Sequence, residues 1–334
     1  MEAALSALEG QGIVLQGRFT PDAIQTEWCS RHLLARIHRL TMDHLRRQIQ
    51  PVLVEDYFRF LIRWQHLEPG TQLQGSEGAA SVIDKLQGFE IPAMAWEQII
   101  LPMRIAKYDP KWLDELCLNG EVTWGRISPI IPNGENPSSR IRMANKVLPI
   151  SLMFREDLSW LRKPQHPELD LFLSHPAKAT LDILKKQGAS FFSDLLTTTR
   201  LLPTQLEETL WDLVAAGLIT GDGFAAMRSL VNPLRKQVEA KIRRLRQRGR
   251  AVHAVRRGAG RWTLFSAPAV QMAREEIVES WARQLLLRYG VFFRDLMARE
   301  DCAPPWYELR PTLRRMEARG EVHGGRFVGG VGGE

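Results

Sequence analysis

Residues 235–261 carry the clearest chemistry in this 334-residue chain: eleven Lys or Arg against a single acid, Glu239. Guanidinium groups are planar forks of N–H donors that grip phosphate oxygens two at a time. Arg243, Arg244, Arg246, Arg248, Arg250, Arg256 and Arg257 therefore form a candidate phosphate track along a helix and into a hairpin. Each phosphate neutralised should steepen the log–log salt dependence of binding by about 0.9 on duplex DNA and about 0.7 on a single strand. The same composition also suits a solvated basic helix or a subunit contact. Over the whole chain 45 basic and 38 acidic side chains leave a net charge of +7. Such an excess marks a polyanionic partner only where it is clustered, as it is here.

Other chemistry is sparse. The sequence has no GxxxxGK[ST] phosphate loop, no GxGxxG between strand and helix, no GxSxG elbow and no HExxH. His32, His38 and His44 lie six residues apart on a helical pattern, which turns them away from one another rather than toward one metal. The acidic pairs Glu55–Asp56 and Asp114–Glu115 read as solvated helix faces. Cys29, Cys117 and Cys302 are far apart with no CxxC, against a zinc site or a disulfide framework. No apolar stretch reaches the eighteen or so residues of a membrane span, and the start lacks the features of a signal peptide. The expected setting is cytoplasmic.

The elements that position these residues follow from an internal repeat: an apolar residue, three residues, Gly, one residue, Val or Ile, then a turn ending in Phe or Ile. Leu8, Gly12, Val14, Gly17, Arg18 and Phe19 match Leu116, Gly120, Val122, Gly125, Arg126 and Ile127, and again Met316, Gly320, Val322, Gly325, Arg326 and Phe327. The remaining copy, Leu213, Gly217, Ile219, Asp222, Gly223 and Phe224, departs at two places. The first Gly of each copy suits the left-handed position just past a helix, and the residues after it read as a strand entering a turn. Pro110 after Asp109, Pro203 and Pro305 suit first helical turns. A second repeat, Phe191, Phe192, Asp194, Leu195 and then Phe292, Phe293, Asp295, Leu296, precedes the last two copies. The order helix, helix, helix, hairpin is that of a winged helix, whose third helix enters a groove and whose hairpin is the wing.

The expected fold class is mainly α with small β-hairpins (α+β), as tandem winged-helix modules. The expected units are 1–27, the end of a truncated module; 28–165, a module with extra N-terminal helices; 166–267, a module with the basic helix inserted in its wing; and 268–334, a module truncated in its wing. Both ends look cut, which suggests an interior slice of a longer protein. Within these units, helices are expected over 28–67, 77–87, 93–105 and 110–119, with a loop at 131–139 and a returning strand at 148–154. A basic helix is expected around 229–248, followed by strands 250–256 and 261–265 paired over Gly258 and Gly260. Arg18, Arg126 and Arg326 share one phase of the repeat, where wings meet a DNA backbone or minor groove. Of the ten Trp, those on helices read as core, and only Trp124 and Trp262, in the hairpins, are placed to meet a base.

These residues resemble the C-terminal region of the bacterial large helicase-related (Lhr) family of ATP-dependent DNA helicases. The resemblance rests on LLARIHR at 33–39, FRFLIRWQ at 58–65, PGTQLQG at 69–75, LQGFE at 86–90, AWEQIILPMRIAKYDPKWLDELCLNGEVTWGRIS at 95–128, GRWTLF at 260–265, RYGVFFRDLMARE at 288–300 and PPWYELRPTLRRMEARGEVHGGRFVGGVGGE at 304–334. It implies a tandem winged-helix extension that binds DNA, single-stranded or duplex, and forms homo-oligomers beside the motor domains of the same polypeptide. ATP and Mg would belong to that motor, which has no counterpart here, so no cofactor is expected in this chain. The family also looks like winged-helix DNA glycosylases, which set a Gln–apolar–Gln or Gln–apolar–Asp triplet at the damaged nucleotide; Gln72–Leu73–Gln74 has that pattern. A glutamine there could position water but not act as a strong base. A base-excision enzyme is thus the alternative to an accessory region of a repair helicase. A sequence-specific regulator is a third reading, weakened by the lack of a recognition dimer.

Overall fold

A computed structural model describes residues 2–128, 148–162, 173–231, 260–266 and 272–331. The chain divides into two compact units: residues 1–57 with 314–334, and residues 58–313. Each is described by itself.

In the first unit α1 (Glu2–Gly10) runs into the antiparallel pair β1 (Val14–Gly17) and β2 (Glu27–Ser30), with Val14 opposite Ser30 and Gly17 opposite Glu27. The turn is closed by the Glu27 carboxylate, which accepts the N–H groups of Phe19 and Thr20 at 2.7 and 2.8 Å and the Thr20 hydroxyl. The helix expected over 28–67 is broken. Strand β2 continues to Ser30, α2 spans Arg31–Gln48, and α3 starts only at Val54 and ends at Trp64. Pro51 explains the break, because it lacks an N–H and keeps the residue before it out of helical geometry. Val52 instead forms a parallel bridge to Val328, with hydrogen bonds of 2.8 Å to the Phe327 carbonyl and from the Gly329 N–H. Glu317 accepts from Arg46 on α2 and from the Gly324 N–H.

The second unit holds two complete winged-helix modules. In the first, α4 (Gly75–Leu86), β3 (Ile91–Pro92), a helical run of α5 (Ala93–Ala95), a π turn (Trp96–Ile100) and α6 (Leu101–Arg104), and then α7 (Pro110–Leu118) lead to β4 (Val122–Gly125) and β5 (Pro149–Phe154). A short helix α8 (Leu158–Leu161) follows. In the second, α9 (His175–Gln187), β6 (Ser190–Phe191), α10 (Phe192–Thr199) and α11 (Pro203–Ala215) lead to β7 (Ile219–Gly221), α12 (Phe224–Val231) and β8 (Arg261–Leu264). Both sheets are antiparallel, three-stranded and ordered alike, β3-β5-β4 and β6-β8-β7, with the last strand in the middle. Strand β8 pairs with β7 on one edge and with β6 on the other at Arg261 and Trp262; residues 250–256, the partner expected from the sequence, lie outside the described residues. A third helical set, α13 (Arg274–Tyr289), a 3-10 turn (Arg294–Arg299) and α14 (Trp306–Ala318), completes the described residues.

The repeat signature is a folding signal. Gly12, Gly120, Gly217 and Gly320 all have positive φ, between 66° and 87°, immediately after a repeat helix. In three copies the next residue's N–H returns to the carbonyl of the signature's apolar residue: Ile13 to Leu8, Leu218 to Leu213 and Glu321 to Met316, each at 3.0 Å. This is the Schellman closure that satisfies the last helical carbonyls, and it needs a left-handed residue that glycine supplies without strain. Asp109 caps α7 from the other end by accepting the Lys111 N–H at 2.9 Å. The chain is therefore mainly α with small hairpins, in tandem winged-helix modules.

Candidate nucleic-acid interface

The wings of the two complete modules face each other. Thr123 on β4 and Thr220 on β7 bring their hydroxyls to 3.5 Å, and the Thr220 hydroxyl donates to the Trp124 carbonyl at 2.5 Å. Trp124 donates its indole N–H to the Gly223 carbonyl at 3.2 Å, and its ring meets Trp262 edge-on at 5.9 Å. Gly217 lies so close that an added Cβ would stand 2.7 Å from the Arg126 carbonyl oxygen. Trp124 and Trp262 are 0% and 2% exposed. Neither expected base-stacking tryptophan can meet a base, because the neighbouring module covers both. Strand β4 is buried along all four residues, Thr123 included.

The three arginines of one repeat phase meet different fates. Arg18 and Arg326 are exposed. Arg126 is a correction to the expectation of a wing contact: its side chain is 10% exposed, donates to the Ser128 carbonyl at 2.5 Å and lies 3.7 Å from the Glu90 carboxylate. Burial depresses its pKa, and Glu90 works the other way. Glu90 also accepts the N–H groups of Ile127 and Ser128 at 2.7 and 3.0 Å and the Ser128 hydroxyl at 2.6 Å. Glu27 closes the first hairpin with the same set of bonds, so the carboxylate is a turn-closing device found twice. Only the second instance also buries the arginine.

Arg243, Arg244, Arg246, Arg248, Arg250, Arg256 and Arg257 lie outside the described residues. The last basic residue of that segment, Arg261, is held by Asp222, which accepts its backbone N–H at 2.7 Å and its Nε–H at 2.8 Å. Helix α12, inserted in the wing, carries Arg228, whose guanidinium donates to both oxygens of Glu97 at 2.6 and 2.7 Å and to Asp114 at 2.8 Å. Burial opposes the charge, but the hydrogen bonds to Glu97 and Asp114 outweigh it and hold the Arg228 pKa above its ordinary value. Asp114 is therefore an anchor between modules and not the solvated acid its sequence suggested. No local signal could have found this network, because its partners lie 114 and 131 residues from Arg228.

Sequence reasoning favoured the densest run of cations and passed over sparser ones. Helix α2 exposes Arg31, Arg36, Arg39 and Arg47, and has no buried residue. On the same helix Leu33, Ile37 and Leu40 are about half exposed, at 52, 48 and 52%. His32 and His38 are exposed as well, and His44 pairs with Gln48 at 3.0 Å. Among the described residues no group of three or more His, Cys, Asp or Glu is arranged to hold a metal ion. Likewise among them, no helix is long and apolar enough to cross a membrane. In the Gln72–Leu73–Gln74 triplet the Gln72 amide is occupied by its own loop, accepting from the Gly70 N–H at 2.8 Å and donating to the Glu68 carbonyl at 3.0 Å. Gln74 is exposed at the start of α4.

Comparison with known proteins settles the family. A family model for the third winged-helix domain of large helicase-related proteins matches residues 52–142, and one for the fourth matches residues 271–334. The chain belongs to the large helicase-related family. A Mycolicibacterium smegmatis protein named Lhr helicase/probable uracil glycosylase is 31% identical over 98% of this chain. An Escherichia coli protein named Lhr helicase/uracil glycosylase is 26% identical over the whole of it. The chain spans about a fifth of the length of each, 21% and 22%. The Lhr modules of this chain thus include the helices and the outer wing that expose Arg314, Arg315 and Arg326.

Proposed function

We propose that this chain is an accessory nucleic-acid-binding and oligomerisation region of an Lhr-type ATP-dependent DNA helicase acting in DNA repair, in the cytoplasm. The observation that carries the reading is the combination of tandem winged-helix modules of this family with the arginine-dense segment 235–261. Its partners are DNA, single-stranded or duplex, further copies of itself, and the helicase motor domains of the same polypeptide. ATP and Mg2+ belong to that motor, and the chain alone is non-catalytic. The exposed row Leu33, Ile37 and Leu40 supports self-association, since apolar patches of this kind mark interaction surfaces.

Fluorescence-anisotropy titration of labelled DNA at several salt concentrations tests the reading. Replacing Arg243, Arg244, Arg246 and Arg248 by Gln together should weaken binding and flatten its salt slope by up to about 3.6 on duplex, at about 0.9 per phosphate. Unchanged affinity would remove the phosphate track from this segment.

A second reading is base excision, with the modules closing on a flipped nucleotide. What favours it is the uracil-glycosylase part of both relatives' names together with Gln72–Leu73–Gln74. Incubating the chain with a uracil-containing oligonucleotide and then alkali should give strand breaks if it is correct, and an intact strand across a lesion panel rules it out for this chain.

A further inference from the structure

Helix α2 is eighteen residues long, and none of them is buried. Most helices in proteins draw their stability from packing one face, so a helix uncovered on every side calls for a partner. It is held at its two ends. The Arg31 backbone N–H donates to the Ile13 carbonyl at 3.0 Å, and near the other end Arg46 donates its Nε–H to Glu317 at 3.0 Å. Between these anchors every residue from Ala35 to Thr41 is exposed.

The helix carries five arginines and one acid. Arg46 is taken by Glu317 and lies 4.0 Å from Asp43, so acid and cation cancel there. Arg47 spends its Nε–H on the Asp43 carbonyl at 3.1 Å. Arg31, Arg36 and Arg39 are exposed, and among the described residues none of the three meets a carboxylate. At 3.6 residues per turn they fall within about 140° of the helix circumference, and Leu33, Ile37 and Leu40 fall within about 60° beside them. The cations and the apolar row are thus adjoining but separate faces.

A row of guanidinium groups without acids suits a polyanion. The helix in the third-helix position of this unit, α1, carries acids and no cation, so a phosphate-lined groove repels it. Helix α2 has no Phe, Tyr or Trp. It therefore lacks the rings on which single-strand binders stack bases, and the aromatic anchors of a helix lying on a membrane. Duplex backbone fits better. Arg31 to Arg39 covers about 12 Å at 1.5 Å per residue, a length over which duplex DNA presents about seven phosphates. We propose that α2 is a second duplex-DNA contact of this chain, with Arg31, Arg36 and Arg39 on backbone phosphates and the row Leu33, Ile37 and Leu40 left for self-association. The proposal rests on the nucleic-acid reading above and adds to it a site outside the segment 235–261.

The test is anisotropy titration of the full chain with a labelled duplex at several salt concentrations, with thermal melting as the check on folding. Arg31→Gln, Arg36→Gln and Arg39→Gln together should lower affinity about tenfold or more and flatten the salt slope by about 2.7, at about 0.9 per phosphate. Arg31→Lys, Arg36→Lys and Arg39→Lys together should keep the slope. Lys178→Gln, Lys185→Gln and Lys186→Gln together, an equal loss of charge from exposed positions of α9, should change neither affinity nor slope. Hydrogen exchange needs no variant: in the unaltered chain α2, having no buried residue, should slow when duplex is bound. If the parent chain binds with a steep slope while the α2 glutamine variant keeps that slope, or the α9 variant loses as much, or α2 exchanges alike with and without duplex, the placement on α2 is overturned and the reading above stands. A loss confined to a single strand, or to phosphatidylserine-containing vesicles, overturns it in the same way. A parent chain that fails to bind duplex at low salt overturns both.

Discussion

The wings at β4 and β7 and the outer wing at 320–328 descend from one sequence signature and end in opposite environments. At the centre of the second unit the signature's strands are covered by a neighbouring module, and Trp124, Thr123 and Thr220 become core. In the outer copy Arg326 meets solvent, and Val328 is bridged by Val52. What they share is the glycine with positive φ just past a helix, which serves folding. What they do not share is the exposure of the arginine. In tandem modules a repeated residue therefore marks a folding requirement, and whether it is free to bind depends on which face its neighbours cover.

That contrast can be broken by substitution. Trp124→Ala should cost about 3–5 kcal/mol in denaturant unfolding, because a wholly buried indole leaves a cavity between two modules; a stable variant with weakened DNA binding would show the central wing to be a binding surface instead. Gly217→Ala should cost about 2–3 kcal/mol, combining a left-handed backbone with a Cβ driven against the Arg126 carbonyl. A cost of a few tenths of a kcal/mol would mean that the modules do not approach so closely. Arg228→Ala should cost about 2 kcal/mol by leaving Glu97 and Asp114 half-buried without their cation, and hydrogen exchange along α12 should accelerate.

The smallest effect is expected in the first unit. The Arg46 hydrogen bond holds the Glu317 pKa below its ordinary 4.5, so the folded state favours the carboxylate. This stability is present above about pH 4.5 and is lost as pH falls through the lower, folded value. Glu317→Gln should therefore cost about 1 kcal/mol at pH 7, and the gap to the parent should close toward pH 3. A gap that stays constant with pH would remove the ion pair from the account.

The module plan was legible because its signals are local. Glycines past helix ends and prolines at helix starts act within one turn, so α7, α11 and the strands at Val122 and Ile219 stand where the repeat puts them. The break before α3 was equally available in Pro51, but the apolar spacing on either side of it masked the signal. Burial of Trp124 was not legible, because its partners lie 96 and 99 residues away. The exposed Arg31, Arg36 and Arg39 of α2 were in plain view, yet cations spread along a helix draw less notice than five arginines among the eight residues 243–250.

The wings at β4 and β7 serve as core of the second unit, so on the reading proposed above DNA is met elsewhere on the chain. Ultraviolet cross-linking of the chain to a 5-bromouracil-substituted duplex, with the attached peptides mapped by mass spectrometry, puts that division to the test. Cross-links are predicted within 31–39 and within the basic segment 235–261. Cross-links concentrated in 110–128 or 203–224, with 31–39 and 235–261 unmarked, would contradict it.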